Sequence, residues 1–245
     1  MTSTVSVPES QAGEKTSIWE DMVDIFFAPS SVFARRHDGR YAIPALVLTA
    51  IFIVLAYAGR SLLEPIYEAE FQRGLVQAQA QNPDIGPEQI AMARKFADIG
   101  VFMGAAVFIP IVALYVGALI RLFGALFGAA LTFKLSVLVA VYAQFPRALQ
   151  QLLGVLQGLV LPAESLTSRY SVTFGPARFL DIDATSPLVL ALADRFDIFT
   201  VWATVLIAIG FQTLGKVPRG QAYLAAALVW FCGAIPQLFG ALMAG

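Results

Sequence analysis

The sequence predicts an all-α integral membrane bundle of five transmembrane helices. A cytoplasmic N-terminal amphipathic helix precedes them, and an extracytoplasmic helical hairpin joins the first two. Three observations carry this. Hydrophobic residues make up 58% of the 245-residue chain and charged residues 13%, with mean hydropathy +0.73; a soluble helical domain needs more polar surface, because each helix shows a face to water. Apolar segments recur at about 41–63, 99–123, 131–161, 198–214 and 222–243, and four of them match the roughly 17–25 residues that cross a hydrocarbon core. Basic residues also mark alternate flanks: Arg35, Arg36 and Arg40, then Arg121 and Lys134, then Lys216 and Arg219. Eleven acids fall in the two intervening regions, 64–98 and 162–197. By the positive-inside rule the N-terminus is cytoplasmic and the C-terminus extracytoplasmic, in the cytoplasmic (inner) membrane.

Residues 1–16 read as a polar, disordered cytoplasmic tail, lacking the basic and short apolar regions of a signal peptide. Residues 17–245 read as a single membrane domain. Ser17-Ile-Trp-Glu opens the first helix with a capping box, Ser17 serving the Glu20 amide and Glu20 reaching back. Ile18, Trp19, Met22, Val23, Ile25 and Phe26 make a broad apolar face, with Glu20, Asp21 and Asp24 opposite. An acidic polar face does not favour anionic lipid, so this helix is expected to pack on the protein's own spans. Trp19, Phe26, Phe27, Pro29 and Phe33 form the expected cytoplasmic docking element.

After the first span, Ile66, Phe71, Leu75 and Ala78 recur at near-helical intervals. Asn82-Pro-Asp-Ile-Gly-Pro87 interrupts the pattern, and Glu88–Phe96 restarts a helix that feeds the second span. The other outer region, from Ser165 to Pro187, mixes β-formers with Gly175 and Pro176 and reads as an ordered loop with little regular structure. Gly100/Gly104, Gly124/Gly128 and Gly154/Gly158 repeat a small-x-x-x-small spacing that lets helices approach closely; packing inside the bundle, homo-oligomer formation and docking on another membrane subunit are all open.

The third apolar segment is too long to cross straight and carries polar groups: Gln144, Pro146, Arg147, Gln150 and Gln151. An arginine in hydrocarbon costs from about 3 to above 10 kcal/mol. Positions 140, 144, 147, 151 and 154 share one helical face, so Gln144, Arg147 and Gln151 can turn from lipid together. Asp98, Asp194 and Asp197 are the candidate ion partners of Arg147. A structural anchor, an interfacial position and a polar path for a solute stay open.

The usual parts of catalysis are not evident. His37 is the one histidine and Cys232 the one cysteine, so no multi-cysteine metal site or internal disulfide is available. HExxH, Walker-type and Gly-x-Ser-x-Gly motifs are missing. Asp181-Ile-Asp183 alone makes a poor calcium loop. No cofactor or metal is expected, and a net charge of −1 gives no basis for nucleic-acid binding.

Three stretches carry a family resemblance. Asp24-Ile-Phe-Phe-Ala-Pro-Ser-Ser-Val-Phe33 resembles the entry to the first span of bacterial Yip-family membrane proteins. Ala130-Leu-Thr-Phe-Lys, followed by Tyr142 and Pro146, is similar to the family's third span, and Asp194-Arg-Phe-Asp-Ile-Phe-Thr-Val-Trp through Gly210 to its fourth. The resemblance covers roughly 17–243 and implies no catalytic residues. It implies a non-enzymatic accessory or scaffold protein with a membrane or periplasmic protein partner, as in members encoded beside ABC-type export systems. The external hairpin departs from the minimal family pattern and favours an extracytoplasmic contact. The alternative function is a small permease or channel using the polar stripe.

Overall fold

The computed structural model describes residues 17–243. The expected tail, 1–16, lies outside them. All regular elements among the described residues are helical: α1 (Ile18–Phe27), α2 (Pro29–Arg35), α3 (Ala42–Gly59), α4 (Glu64–Gln81), α5 (Pro87–Leu126) and α6 (Phe133–Tyr142), then α7 (Phe145–Val160), α8 (Pro187–Asp194), α9 (Ile198–Thr213), α10 (Arg219–Gly233) and α11 (Ile235–Met243). Three short 3-10 turns, at Ala163–Ser165, Arg169–Val172 and Pro176–Phe179, occupy the second outer region.

Three helical stretches among the described residues are long and apolar enough to cross a membrane: Ala42–Gly59, Ile109–Leu126 and Arg219–Met243. A fourth crossing is available if α8 and α9, bent by 53°, act as one span. The chain is a multi-pass membrane protein. The expected helical hairpin also forms: α4 ends at Gln81, and α5 starts at Pro87 and runs unbroken for 40 residues.

The overlong third segment breaks. Thr132 caps α6 by accepting from the Leu135 amide at 3.2 Å, and α6 ends at Tyr142. Ala143 and Gln144 make the turn, and Pro146 falls in the first turn of α7. There its missing N–H is one of the donors a helix start leaves unpaired anyway, so the proline starts a helix and does not kink one.

Helix α6 is the centre of the bundle. Every residue from Ser136 to Tyr142 is buried, with α5 and α9 close against it. Two glycines allow this approach: a Cβ on Gly117 would stand 2.7 Å from Val137 Cγ2, and one on Gly210 would stand 2.6 Å from Val139 Cγ1. The main core gathers Ile25, Val32 and Phe33 of α1–α2, Leu48 of α3, Ile120 of α5 and Phe211 of α9 around Val137–Tyr142.

Candidate functional site

Three polar constellations sit on this scaffold. The first is the stripe at the broken third segment. Gln144 is buried beside the break, and Arg147, half-buried one turn into α7, donates from Nη2 to Thr200 Oγ1 at 3.2 Å. Asp197 is fully buried and caps α9, accepting from the amides of Phe199 and Phe174 at 2.8 Å each. Asp194 accepts from Gln237 Nε2 at 3.1 Å. Both carboxylates lie close enough to attract Arg147 through space, but no carboxylate among the described residues forms an ion pair with it. Asp98, the third candidate, is held elsewhere: Arg60 at the outer end of α3 pairs with it at 2.9 Å. Gln150 and Gln151 are half-buried and make no side-chain hydrogen bond among the described residues.

Sequence reasoning missed four members of this region. Thr200 is the hydroxyl that meets Arg147. Gln157 continues the 147–151–154 series by one step; its Oε1 accepts from Arg178 at 2.6 Å and its Nε2 donates to the Val172 carbonyl at 3.0 Å. That pair ties the outer 3-10 turns to α7. Arg195 and Trp230 lock reciprocally, Arg195 Nη2 donating to the Trp230 carbonyl at 2.5 Å and Trp230 Nε1 to the Arg195 carbonyl at 3.3 Å. Extending the helical series would have found Gln157; only the fold reveals the other three.

The second constellation is the N-terminal element. The Ser17/Glu20 capping box is formed, and Phe33 is buried under a T-shaped contact with Tyr142 at 6.2 Å. Phe26 meets Trp202 edge-on at 5.4 Å and Pro29 opens α2, while Trp19 and Phe27 face outward, 67% and 83% exposed. The face assignment of the acids differs from the sequence reading. Asp21 does not sit with Glu20 on an outer polar face; it is completely buried. Its Oδ1 accepts from Arg35 Nε and Nη2 at 3.1 and 2.8 Å, and its Oδ2 accepts from Arg36 and, at 3.3 Å, from the Tyr142 hydroxyl. Helical periodicity alone placed it with the acids. The reversal at Ala28-Pro29 brings the two arginines back over it, and a buried carboxylate needs such partners.

The third constellation lies on α4 and the first turns of α5. Glu68 of α4 and Arg94 of α5 form a two-pronged pair at 2.8 and 2.9 Å, with Arg94 over the Phe71 ring. Hydrogen bonds from Arg94 and then Gln72 hold the Glu68 carboxyl far below the usual range, at about 2. Burial, reinforced by Glu70, pushes the Tyr67 hydroxyl up. Arg73 reaches Asp183 at 3.0 Å and Arg169 reaches Glu70 at 2.9 Å, so α4 is stitched to the second outer region. A cavity of about 640 Å³ opens between Tyr57, Arg60, Tyr67, Glu68 and Arg94. Apart from the Arg94 and Asp98 pairs, α5 is little covered here, every residue from Ala91 to Gly100 being exposed.

The paired glycines divide by place. Gly158 packs tightly, a Cβ there lying 3.0 Å from the Leu62 carbonyl oxygen, and Gly124 approaches Phe211 at 3.0 Å. Gly154 has only ordinary contact with Val172, and Gly128 ends α5 with φ +72°. Gly100 and Gly104 meet nothing within 4 Å.

Among the described residues, no three His, Cys, Asp or Glu side chains gather into a group able to hold a metal ion. Comparison with known proteins gives one match: the family model of the Yip1 domain covers residues 23–240. The chain belongs to the Yip1 domain family. No curated protein and no solved structure matches it. The Yip1 match begins within α1 and ends within α11, so the α1–α2 reversal, the broken third segment and the α4–α5 hairpin all lie inside the Yip1 domain. The resemblance read from Asp24–Phe33, Ala130–Arg147 and Asp194–Gly210 is thereby established.

Proposed function

We propose that this Yip1-domain protein is a non-enzymatic accessory or scaffold subunit of the cytoplasmic membrane that acts through protein contacts. In this reading the chain crosses five times, the broken α6–α7 pair being the third crossing, with the Lys134 face cytoplasmic. The partner is an export system of the ABC type, met on the outer side of the membrane. One observation carries the contact: Met92, Phe96 and Ile99 of α5 are exposed in a stretch, 91–100, that is tied to α3 and α4 through the polar side chains of Asp98 and Arg94. Apolar side chains left open on such a helix are what a partner helix covers. A photoreactive amino acid at Met92 or Phe96 tests this. A cross-link to a permease or periplasmic adaptor supports the reading; a cross-link solely to a second copy of the chain replaces it with homo-oligomer formation.

The permease reading rests on Gln150 and Gln151, whose side chains are half-buried with no hydrogen bond. Against it, Ala140 and Gln144 along the same stripe are buried, at 0% and 6% exposure. Cysteines at 144, 147 and 151 that react with water-soluble thiol reagents in the bilayer would favour the path.

A further inference from the structure

Depth within the bundle can be read from contacts. Helix α3 is long and apolar enough to cross a membrane. Gly39, just before it, abuts Lys134, and Gly59, at its far end, abuts Val155. Lys134 and Val155 therefore mark the two ends of α6–α7 alongside a full crossing. At ~1.5 Å rise per residue, Tyr142 lies about 12 Å and Arg147 about 20 Å from the Lys134 end. Helix α9 runs the opposite way, with Gly210 against Val139 and Thr200 bonded to Arg147. Trp202 is thus placed about 15–20 Å from the Lys134 end, near the middle of a hydrocarbon core about 30 Å thick.

The N-terminal helices reach that depth. Asp21 bonds Tyr142, and one and a half turns later Phe26 meets Trp202. Helix α2 then packs along α9 and returns the chain to Gly39 at the Lys134 level. We infer that α1–α2 is a re-entrant hairpin whose outward face contacts lipid acyl chains, not an amphipathic helix lying on the membrane surface. The inference rests on the chain being a membrane protein and is independent of which partner it binds.

Four features fit insertion. The outward face of α1 is Trp19, Val23 and Phe27, all well exposed and spaced one turn apart. Phe27, at the tip, is the most exposed of the three at 83%; a side chain that large beside mid-span residues faces hydrocarbon, not water. Part of the tip's backbone is closed within the turn, which lowers the cost of placing it in lipid: Ala28 donates to the Asp24 carbonyl at 2.6 Å, Ser31 and Val32 both donate to the Ala28 carbonyl, and Pro29 has no N–H. The inward acid, Asp21, is matched by Arg35 and Arg36, which sit toward the base where their other donors reach water. Glu20, His37, Asp38 and Arg40 are exposed toward the base, and Asp24, a turn nearer the tip than Asp21, is neutralised by Arg35 at 2.7 Å.

The test uses the full chain in proteoliposomes of phosphatidylcholine brominated either near the headgroup or near the acyl-chain ends. Trp202 and Trp230 are replaced by Phe, and the remaining indole is either native Trp19 or, with Trp19→Phe, a Phe27→Trp substitution. Emission from position 27 should shift to the blue and be lost mainly to the deep bromines, while that of Trp19 is lost mainly to the shallow ones. Indifference of position 27 to both lipids, with quenching by aqueous iodide, overturns the inference. If those replacements unfold the chain, Phe27→Cys with Cys232→Ser is labelled by a water-soluble maleimide. Protection in the bilayer, lost in detergent, supports insertion; labelling in the bilayer as fast as at His37→Cys refutes it.

Discussion

Replacing Asp21 by Asn keeps the side chain's shape and removes its charge. Asp21 is 0% exposed, while Arg35 and Arg36 keep 31% and 19% of their side-chain surface. Breaking a fully buried ion pair costs about 3–5 kcal/mol, chiefly by leaving a charge without its partner. Here both guanidinium groups reach water, and Arg35 retains Asp24 at 2.7 Å, so the loss falls to about 2–3 kcal/mol. For a chain of this size each kcal/mol moves Tm by about 2–4 °C, giving a drop of about 5–10 °C. Thermal unfolding of the purified protein in detergent, followed by circular dichroism, reads this directly. Glu20→Gln is the control: Glu20 is exposed, and an amide oxygen can still accept from the Ser17 amide. Equal Tm values for wild type, Asp21→Asn and Glu20→Gln would refute the claim that Asp21 anchors α1–α2.

Gly210→Ala drives a methyl into Val139 and should cost about 1–3 kcal/mol, recovered in the double variant with Val139→Ala; Gly104→Ala, which meets nothing, should leave the isolated chain's Tm unchanged. Arg147→Leu should sharply reduce accumulation in the membrane, while Thr200→Val removes one hydrogen bond and costs about 1–2 kcal/mol; normal accumulation and topology of Arg147→Leu would end its role as an anchor. Glu68 titrates at about 2, below an ordinary carboxylate. Its contribution is complete above the unfolded value, declines as pH falls below it and is gone once pH passes below about 2. Spin labels on α4 and α5 should keep their separation at pH 5, begin to spread as pH falls toward 3 and part near 2, whereas Glu68→Gln should remove this pH dependence.

Elements set by local chemistry were legible in the sequence. Ser17 and Glu20 announced the start of α1, Asn82–Pro87 the hairpin turn, and Gln144–Arg147 a break in an overlong segment. What escaped depends on contacts between distant segments. Asp21 repeats with Glu20 and Asp24 on a helical wheel, and its burial follows only once Pro29 folds Arg35 and Arg36 back over it. Gly117 and Gly210 belong to none of the paired-glycine spacings read from the sequence, because each answers a single valine of α6, a helix whose central position no local pattern reveals. Asp98 looked like a partner for Arg147 while only its place at a span mouth was known; α3 brings Arg60 to the same level and captures it. Met92, Phe96 and Ile99 were visible as apolar residues, but that the described residues leave them largely exposed is a property of the fold.

Photo-cross-linking at Phe96 in intact membranes bears most directly on the account, because Phe96 sits on the exposed stretch of α5 while the neighbouring Asp98 is tied to Arg60. The account predicts an adduct with a subunit of an export system, and a weaker one when the photoreactive group stands at Leu122 on the opposite end of the same helix. No adduct at Phe96 under any expression level, with the chain running alone after gentle extraction, would contradict it.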